Sequence, residues 1–196
     1  GVSAGVYTQT TDVEVEINGL LTYDRERKVE PAWVKSLSDL LLRTPDVVKH
    51  EVLLPTSESA PQRWKMTTER PADGWESAGF DDSKWTEGSG GFGDGTVRGV
   101  KVGTEWKGSD IWIRKSFTCA APKGNPVLRV FHDEDAEIYL NGEKIASLQK
   151  FATRYIELPV KDASLLNAGR NVIAIHCRQA EGGQFIDAGI LDELPQ

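Results

Sequence analysis

The chain has 196 residues, a mean hydropathy of −0.39 and a formal net charge of −7 at pH 7, which is enough for one large β domain or a domain with a smaller appendage. The negative net charge argues against nucleic acid as a partner, because phosphate binding needs a basic surface. No apolar run approaches the roughly 20 residues that span a bilayer. No signal peptide is expected in this stretch, which begins at Gly1 and is interpreted as a piece of a longer protein.

Residues 1–55 predict a small α+β segment that is part of a neighbouring domain or a link to one. Val13, Val15 and Ile17 alternate with glutamates, as in a half-buried strand. Asn18-Gly19 then gives a strong hairpin-turn signal.

A helix is predicted after this hairpin, in the stretch PAWVKSLSDLLLR. Pro31 suits its first turn and Pro45 marks its end. One face of the helix is apolar; it carries Trp33, Leu37, Leu40 and Leu41.

The rest of the chain is predicted to be all-β. Residues 56–62, TSESAPQ, are polar and aperiodic and indicate a linker. Residues 63–196 hold many short strand patterns separated by turn residues, which is typical of a sandwich or barrel. The strand candidates are 63–68, 110–118, 126–131, 136–140, 144–148, 153–158, 171–177 and 185–191.

Three motifs in this second block resemble the galactose-binding-like jelly roll. They are WIRKSF at 112–117, IYLNG at 138–142 and GRNVIAI at 169–175. The block is similar in particular to the sugar-binding accessory domains of bacterial glycoside hydrolases of the family 2 β-galactosidase type. The stretch YTQTTDVEVEINGLLTYDRE is similar to segments of multidomain proteins of gut Bacteroidetes with glycosidase-like or glutaminase-like modules.

The resemblance implies a β-sandwich of jelly-roll type, preceded by the hairpin-plus-helix segment. It further implies a non-catalytic carbohydrate-binding module of a secreted, periplasmic or cell-surface enzyme, with a poly- or oligosaccharide and the parent's catalytic domain as partners. Because that family's catalytic carboxylates lie in a separate barrel domain, no catalytic residue is carried over. The alternatives are a structural spacer that binds no sugar and an autonomous hydrolase, which would need a deep cleft with two carboxylates.

The stretch HDED, residues 132–135, is the densest group of ionisable side chains. Neighbouring residues of one strand point to opposite faces, so Asp133 and Glu134 cannot work as a catalytic pair across one bond. Calcium binding by Asp133, Glu134 and Asp135 is a weaker hypothesis, because the spacing is not that of an EF-hand. The simplest interpretation is a solvated turn before a strand, and no cofactor other than a structural calcium is expected.

Candidate sugar ligands come from loops and strand ends. Trp106 lies in a polar loop flanked by glycine, where an exposed indole would offer a face to a sugar ring. The other candidates are His132, Asp133, Asp135, Arg178 and Gln184.

Other aromatic, histidine and cysteine residues are interpreted as structural or left open. Trp64, Trp75, Trp85 and Trp112 are expected to serve the core or to anchor loops, and His176 to be structural. Cys119 and Cys177 are compatible with one disulfide or with two thiols.

Overall fold

The computed structural model describes residues 9–42, 48–133 and 135–195. The chain divides into two units, Gly1–Val47 and Val48–Gln196. The second unit is a β-sandwich built from two six-stranded sheets, which confirms the predicted all-β fold class. Within the described residues, no helix is both long enough and apolar enough to cross a membrane.

The first unit contains the predicted helix but not the predicted hairpin. Helix α1 spans Pro31–Leu42, so Pro31 does open it. The described part of the unit has only isolated bridges at the hairpin position, and the tight turn lies between Val13 and Glu16. The alternating side chains of Val15 and Ile17 are exposed. A period-2 pattern stabilises a strand only where one face is buried, and here neither face is.

One sheet is centred on its longest pair of strands and is called the β7–β12 sheet. Its strand order is β10-β7-β12-β4-β5, with β1 pairing along β12. All of its pairings are antiparallel except β4 with β5. Its strands are β1 (His50–Leu54), β4 (Phe92–Gly93), β5 (Thr104–Glu105), β7 (Asn125–Asp133), β10 (Ile156–Pro159) and β12 (Phe185–Glu193).

The other sheet, called the β6–β11 sheet, has the order β3-β2-β6-β11-β8-β9 and is antiparallel throughout. A short 3-10 helix, Ala163–Leu165, precedes β11. The strands are β2 (Arg63–Thr67), β3 (Thr86–Ser89), β6 (Asp110–Cys119), β8 (Asp135–Leu140), β9 (Glu143–Leu148) and β11 (Gly169–Arg178).

The core lies between the two sheets and follows the period of two along each strand. Ile113 and Ile175 are opposite each other on β6 and β11 and are fully buried. Val130 and Ile186 line the core from the other sheet. Because alternate residues point to opposite faces, the neighbours of these residues along each strand lie on the outer faces of the sandwich.

The domain boundary differs from the sequence prediction. Strand β1 falls within residues 1–55, the predicted N-terminal segment, but it pairs with Ile190–Glu193 of β12 and buries Leu53 and Leu54 in the sandwich core. The unit therefore starts before the predicted linker at 56–62. The short polar linker is a connection between β1 and β2 within one domain.

The second Asn-Gly turn forms as predicted. Asn141 has φ 53° and Gly142 has φ 96°, the left-handed geometry that joins β8 and β9 in a two-residue hairpin. The Asn141 side chain also accepts from the Val172 backbone N–H at 2.8 Å. This bond ties the turn to β11.

Both cysteines are free thiols. Cys119 pairs with Gly169 and Cys177 with Ile111, so they occupy opposite ends of the β6–β11 pair. A disulfide needs Cα atoms within about 7 Å, and a register offset of eight residues along the strands is far longer than that.

Candidate functional site

The outer face of the β6–β11 sheet carries a row of polar and aromatic side chains across three adjacent strands. His176 on β11 is paired with Trp112 on β6 and with Glu137 on β8. The neighbouring row places Arg178 between Asp110 and Asp135 in the same way. Strand pairing therefore gathers residues that lie up to 68 positions apart in the sequence onto one surface.

His176 joins the two rows. Its imidazole stacks on Trp112 with 4.5 Å between ring centroids and 2° between the planes. Its Nε2 is 2.8 Å from Asp110 Oδ1. The stack and the bond to the carboxylate fix the orientation of the ring.

A loop of residues 68–85 covers part of this face and is held by a buried arginine. The Arg114 side chain is almost fully buried and donates to Asp82 Oδ2 at 2.9 Å. It also donates to the backbone carbonyls of Ser77, at 3.1 Å, and Trp75. These bonds bring the Trp75 ring edge-on to Tyr139, with centroids 5.4 Å apart.

Loop and sheet together enclose a pocket of about 530 Å³. This volume lies within the range of about 300–1,000 Å³ that is typical of small-ligand sites. The side chains around it combine two indoles with groups that can bond to hydroxyls. The lining residues are Arg70, Pro71, Asp73, Trp75, Asp110, Trp112, Glu137 and His176.

The two carboxyls that strand pairing places in the pocket are both held as anions. Burial by itself would raise the pKa of Asp110, but hydrogen bonds from Ser109 and His176 hold that pKa below its ordinary value. The Lys144 ammonium lowers the pKa of Glu137 against the effect of burial, and the Tyr139 hydroxyl, at 3.1 Å, adds to this. Both groups are therefore hydrogen-bond acceptors at neutral pH.

The charge state of Asp110 and Glu137 is not that of the general acid in glycoside hydrolysis. A glycosidase needs one carboxyl that stays protonated, with a raised pKa, to serve as the general acid. Asp110 and Glu137 both have lowered pKa values. Neither of the two therefore has the pKa of such an acid, and both present acceptors beside the two indoles of the pocket.

Two of the sequence-predicted residues lie beside this pocket. Asp135 and Arg178 are paired in register and line a smaller hollow of about 210 Å³. The hollow shares Glu137 and His176 with the larger pocket. The structure thus brings these two candidates together next to the site.

Trp106 is not the exposed aromatic that the loop composition suggested. Its side chain is only 2% exposed and belongs to the core. Its backbone N–H donates to the Gly93 carbonyl, and its indole Nε1 donates to the Asp110 carbonyl at 3.2 Å. The short strand β5 directs the ring inward, so it presents no face to a ligand.

Gln184 and His132 are also buried. Gln184 Nε2 donates to the Gly108 carbonyl at 2.6 Å, which ties the start of β12 to the loop before β6. His132 is 4% exposed and lies near the end of β7. Both candidates therefore contribute to the structure of the sandwich rather than to the pocket surface.

Two of the predicted calcium ligands, Asp133 and Asp135, lie on different sheets. Asp133 ends β7 and Asp135 begins β8, so the chain crosses between the sheets at this point. Glu134 lies outside the described residues. Asp135 Oδ1 already accepts from the Lys150 N–H at 3.2 Å. Calcium binding here stays a prediction.

A different set of described residues brings possible metal-ligand atoms together. His50, Glu157 and Glu193 place one such atom each within 4.8 Å of one another. Glu157 is bonded to Arg129 at 2.7 Å, and His50 Nε2 is 3.6 Å from Glu193. Pairing within the protein accounts for the arrangement.

The residues of the pocket can be recognised in the sequence only when the register of the strand pairing is known. Trp112 and His176 each occupy the outward positions of an alternating strand, but their adjacency follows from the pairing of β6 with β11. Trp75 lies in a loop with no periodicity, and its place depends on the distant Arg114. No local pattern predicts such a contact.

The fold is similar to part of several family 2 glycosyl hydrolases. A family 2 member from Bacteroides cellulosilyticus DSM 14838 superposes with a TM-score of 0.52 and 20% identity, covering 71% of this chain and 21% of that one. A β-glucuronidase from Bacteroides uniformis gives a TM-score of 0.53 and 17% identity, covering 73% and 18%. The chain thus spans about a fifth of the length of these enzymes, and at such identities the likeness concerns the fold.

Neither a protein-family model nor a curated protein matches the sequence. The fold comparison and the geometry of the pocket are therefore the two observations on which a function can be argued.

Proposed function

We propose that the sandwich is a non-catalytic carbohydrate-binding accessory domain. The observation that carries this proposal is the pocket on the β6–β11 sheet, where Trp75 and Trp112 adjoin the anions Asp110 and Glu137. The apolar C–H face of a pyranose packs on aromatic rings, and its hydroxyls donate to carboxylates. A saccharide is the ligand class that uses both features together.

Recognition would depend on charge-assisted hydrogen bonds. The Asp110 carboxylate is held by His176, and Glu137 by Lys144 and Tyr139. Carboxylates fixed in this way accept from sugar hydroxyls without first losing side-chain freedom, which lowers the entropy cost of binding.

The parent protein is proposed to be a glycoside hydrolase or a related secreted or periplasmic enzyme that degrades polysaccharides. The support is the shared fold with family 2 enzymes, of which this chain spans only about a fifth. A tethered binding domain raises the local concentration of substrate at the catalytic domain of the same chain. The domain would thus increase activity on polymers without taking part in bond cleavage.

The test is affinity electrophoresis of the 196-residue chain in native gels that contain plant and host polysaccharides. We expect at least one neutral polysaccharide to retard the wild type, and Trp75→Ala to abolish the retardation because the indole forms a wall of the pocket. The matched control is Trp33→Ala, which removes an indole that is 57% exposed on the other unit. This control should migrate as the wild type.

Failure of every glycan to retard the wild type would contradict sugar binding. It would favour the alternative of a structural spacer that packs on a catalytic domain. Equal retardation of the wild type and of Trp75→Ala would show that the sugar binds elsewhere on the protein and not in this pocket.

A further inference from the structure

A second pocket of about 630 Å³ lies on the outer face of the β7–β12 sheet. Four cations line it, namely Arg98, Lys101, Arg129 and Arg154, with Glu58 as its one lining carboxylate. The lining charge is therefore 4 − 1 = +3, in a chain whose net charge is −7. Because positive charge is concentrated here although the chain as a whole is negatively charged, the pocket is suited to binding an anion.

One of the four cations, Arg129, is paired with carboxylates of the protein and held in place by them. Arg129 donates to both Glu58 oxygens, at 2.8 and 3.0 Å, and to Glu157 at 2.7 Å. Its guanidinium also lies 5.0 Å from the centroid of the Tyr155 ring. The hydrogen bonds to Glu58, and then the one to Glu157, raise the pKa of Arg129.

The other three cations are available. Among the residues that the structure describes, Arg98, Lys101 and Arg154 make no hydrogen bond or ion pair with another side chain. All three are exposed at the rim of the pocket. Unpaired guanidinium and ammonium groups that face one cavity can bind an oxyanion without first breaking an internal pair.

The floor of the pocket is aromatic and rigid. The Tyr155 hydroxyl donates to Asp187 Oδ2 at 2.6 Å, and its ring meets Phe131 edge-on at 5.6 Å. Asp187 in turn accepts from the Ser57 backbone N–H at 2.7 Å. A ring held from two sides offers a preorganised apolar surface beneath the cations.

The pocket continues into a neighbouring hollow of about 580 Å³ that shares Arg98, Phe131 and Thr153 with it. This hollow adds Phe151, which is 63% exposed. The hollow is also lined by Asp133, so its positive charge comes from the end that Arg98 shares with the pocket of about 630 Å³. Phe151 and Tyr155 supply aromatic surface to the two parts of the groove.

We propose that this groove binds an acidic saccharide, through a carboxylate or sulfate group that contacts Arg98, Lys101 and Arg154. The aromatic lining favours a sugar over an inorganic anion, because a free ion gains nothing from Tyr155 and Phe151. The negative charge of the whole chain disfavours a nucleic-acid polymer. This site does not rest on the neutral-sugar pocket of the opposite sheet, and it shares no residue with it.

The test is calorimetric titration of the 196-residue chain with glucuronate, glucose 6-sulfate, glucose and inorganic sulfate, at low and high salt. We expect the two acidic sugars to bind and glucose not to bind at this site. The double variant Arg98→Ala/Arg154→Ala should weaken binding about fivefold or more, and added salt should weaken it too, since the cations are exposed. The charge-matched control Lys84→Ala/Lys161→Ala, whose residues do not line the groove, should bind as the wild type.

Three outcomes would overturn the proposal. The first is an absence of heat with both acidic sugars. The second is an equal loss in both double variants, which would indicate general electrostatics. The third is inorganic sulfate binding as tightly as the acidic sugars, which would show an oxyanion site without sugar recognition. Because Trp75→Ala leaves this groove intact, failure here is separable from failure of the neutral-sugar pocket.

Discussion

Arg114 holds the loop that shapes the pocket on the β6–β11 sheet. It is buried on the outer face of β6 and satisfies three acceptors of the covering loop, namely Asp82 and the carbonyls of Trp75 and Ser77. Its guanidinium also lies 5.4 Å from the centre of the Phe80 ring. The loop has no regular secondary structure to hold it, so this side chain positions Trp75.

We expect Arg114→Ala to lower the free energy of unfolding by about 3 kcal/mol or more, because it leaves a carboxylate and two carbonyls without their donor. Urea denaturation measures this loss. Arg170→Ala is the control, since Arg170 is an exposed arginine on the adjacent strand and should change stability by less than about 0.5 kcal/mol. Similar stabilities of the two variants would show that the loop is held by other contacts.

Asp187 is an almost fully buried carboxyl beneath the groove. It is 1% exposed and faces outward from β12, and two groups donate to its Oδ2. Burial raises the pKa of Asp187 despite these bonds. The folded state therefore holds the proton more tightly than the unfolded state, and stability falls as pH rises from about 4 through the folded pKa.

Asp187→Asn removes this pH dependence while its carbonyl oxygen can still accept both hydrogen bonds. We expect the variant to gain stability relative to the wild type between pH 4 and pH 7. Urea unfolding of both proteins at the two pH values measures the difference. A stability difference that is the same at both values would mean that Asp187 is not the titrating group.

At the scale of elements, local signals predicted well where they agreed with burial. Helix α1 begins at Pro31, and the Asn141-Gly142 hairpin has the expected positive φ angles. The Asn18-Gly19 signal failed because no core covers the alternating residues before it. Turn chemistry specifies a hairpin only when the strands beside it have a surface on which to pack.

The boundary of the sandwich is an element-scale prediction. A chain that starts at Val48 should unfold cooperatively with a thermal midpoint close to that of the full chain, because every residue of the core cluster is retained. A chain that starts at Gln62 lacks β1 and the buried Leu53 and Leu54. It should lose several kcal/mol, at about 2–5 kcal/mol for each large core side chain removed. Circular dichroism melts compare the two. Equal thermal midpoints of the two chains would show that β1 is dispensable and that the sandwich domain begins at the 56–62 stretch.

At the scale of the whole molecule, the two outer faces of the sandwich differ in charge. The pocket on the β6–β11 sheet presents carboxylates and indoles, whereas the groove on the β7–β12 sheet presents arginines and lysine. A domain with two such faces can contact a polysaccharide at a neutral sugar on one side and at an acidic substituent on the other. The proposals for the two faces are independent of each other.

The fold was predictable from the sequence to a larger extent than the candidate site. The hydrophobic patterns of 110–118 and 171–177 predict the strands β6 and β11, and the period of two along a strand assigns Trp112 and His176 each to a face of its strand. Their contact depends on register, which is set over the whole sheet. Trp106 was predicted to be exposed to a ligand but is buried, whereas Trp75 was interpreted as structural but lines the pocket. The burial of a loop aromatic depends on tertiary contacts, such as the hydrogen bond from the Trp106 indole to the Asp110 carbonyl.

The most direct test of the central claim is a nuclear magnetic resonance titration that follows the indole N–H signals of the tryptophans, assigned by single Trp→Phe variants. The titrant is the neutral oligosaccharide from the polysaccharide that retards the chain. The signals of Trp75 and Trp112 should shift in a saturable way, while those of Trp33 and Trp64 should stay fixed. Saturable shifts confined to tryptophans other than Trp75 and Trp112, or no shifts at all, would contradict a saccharide site on the β6–β11 sheet.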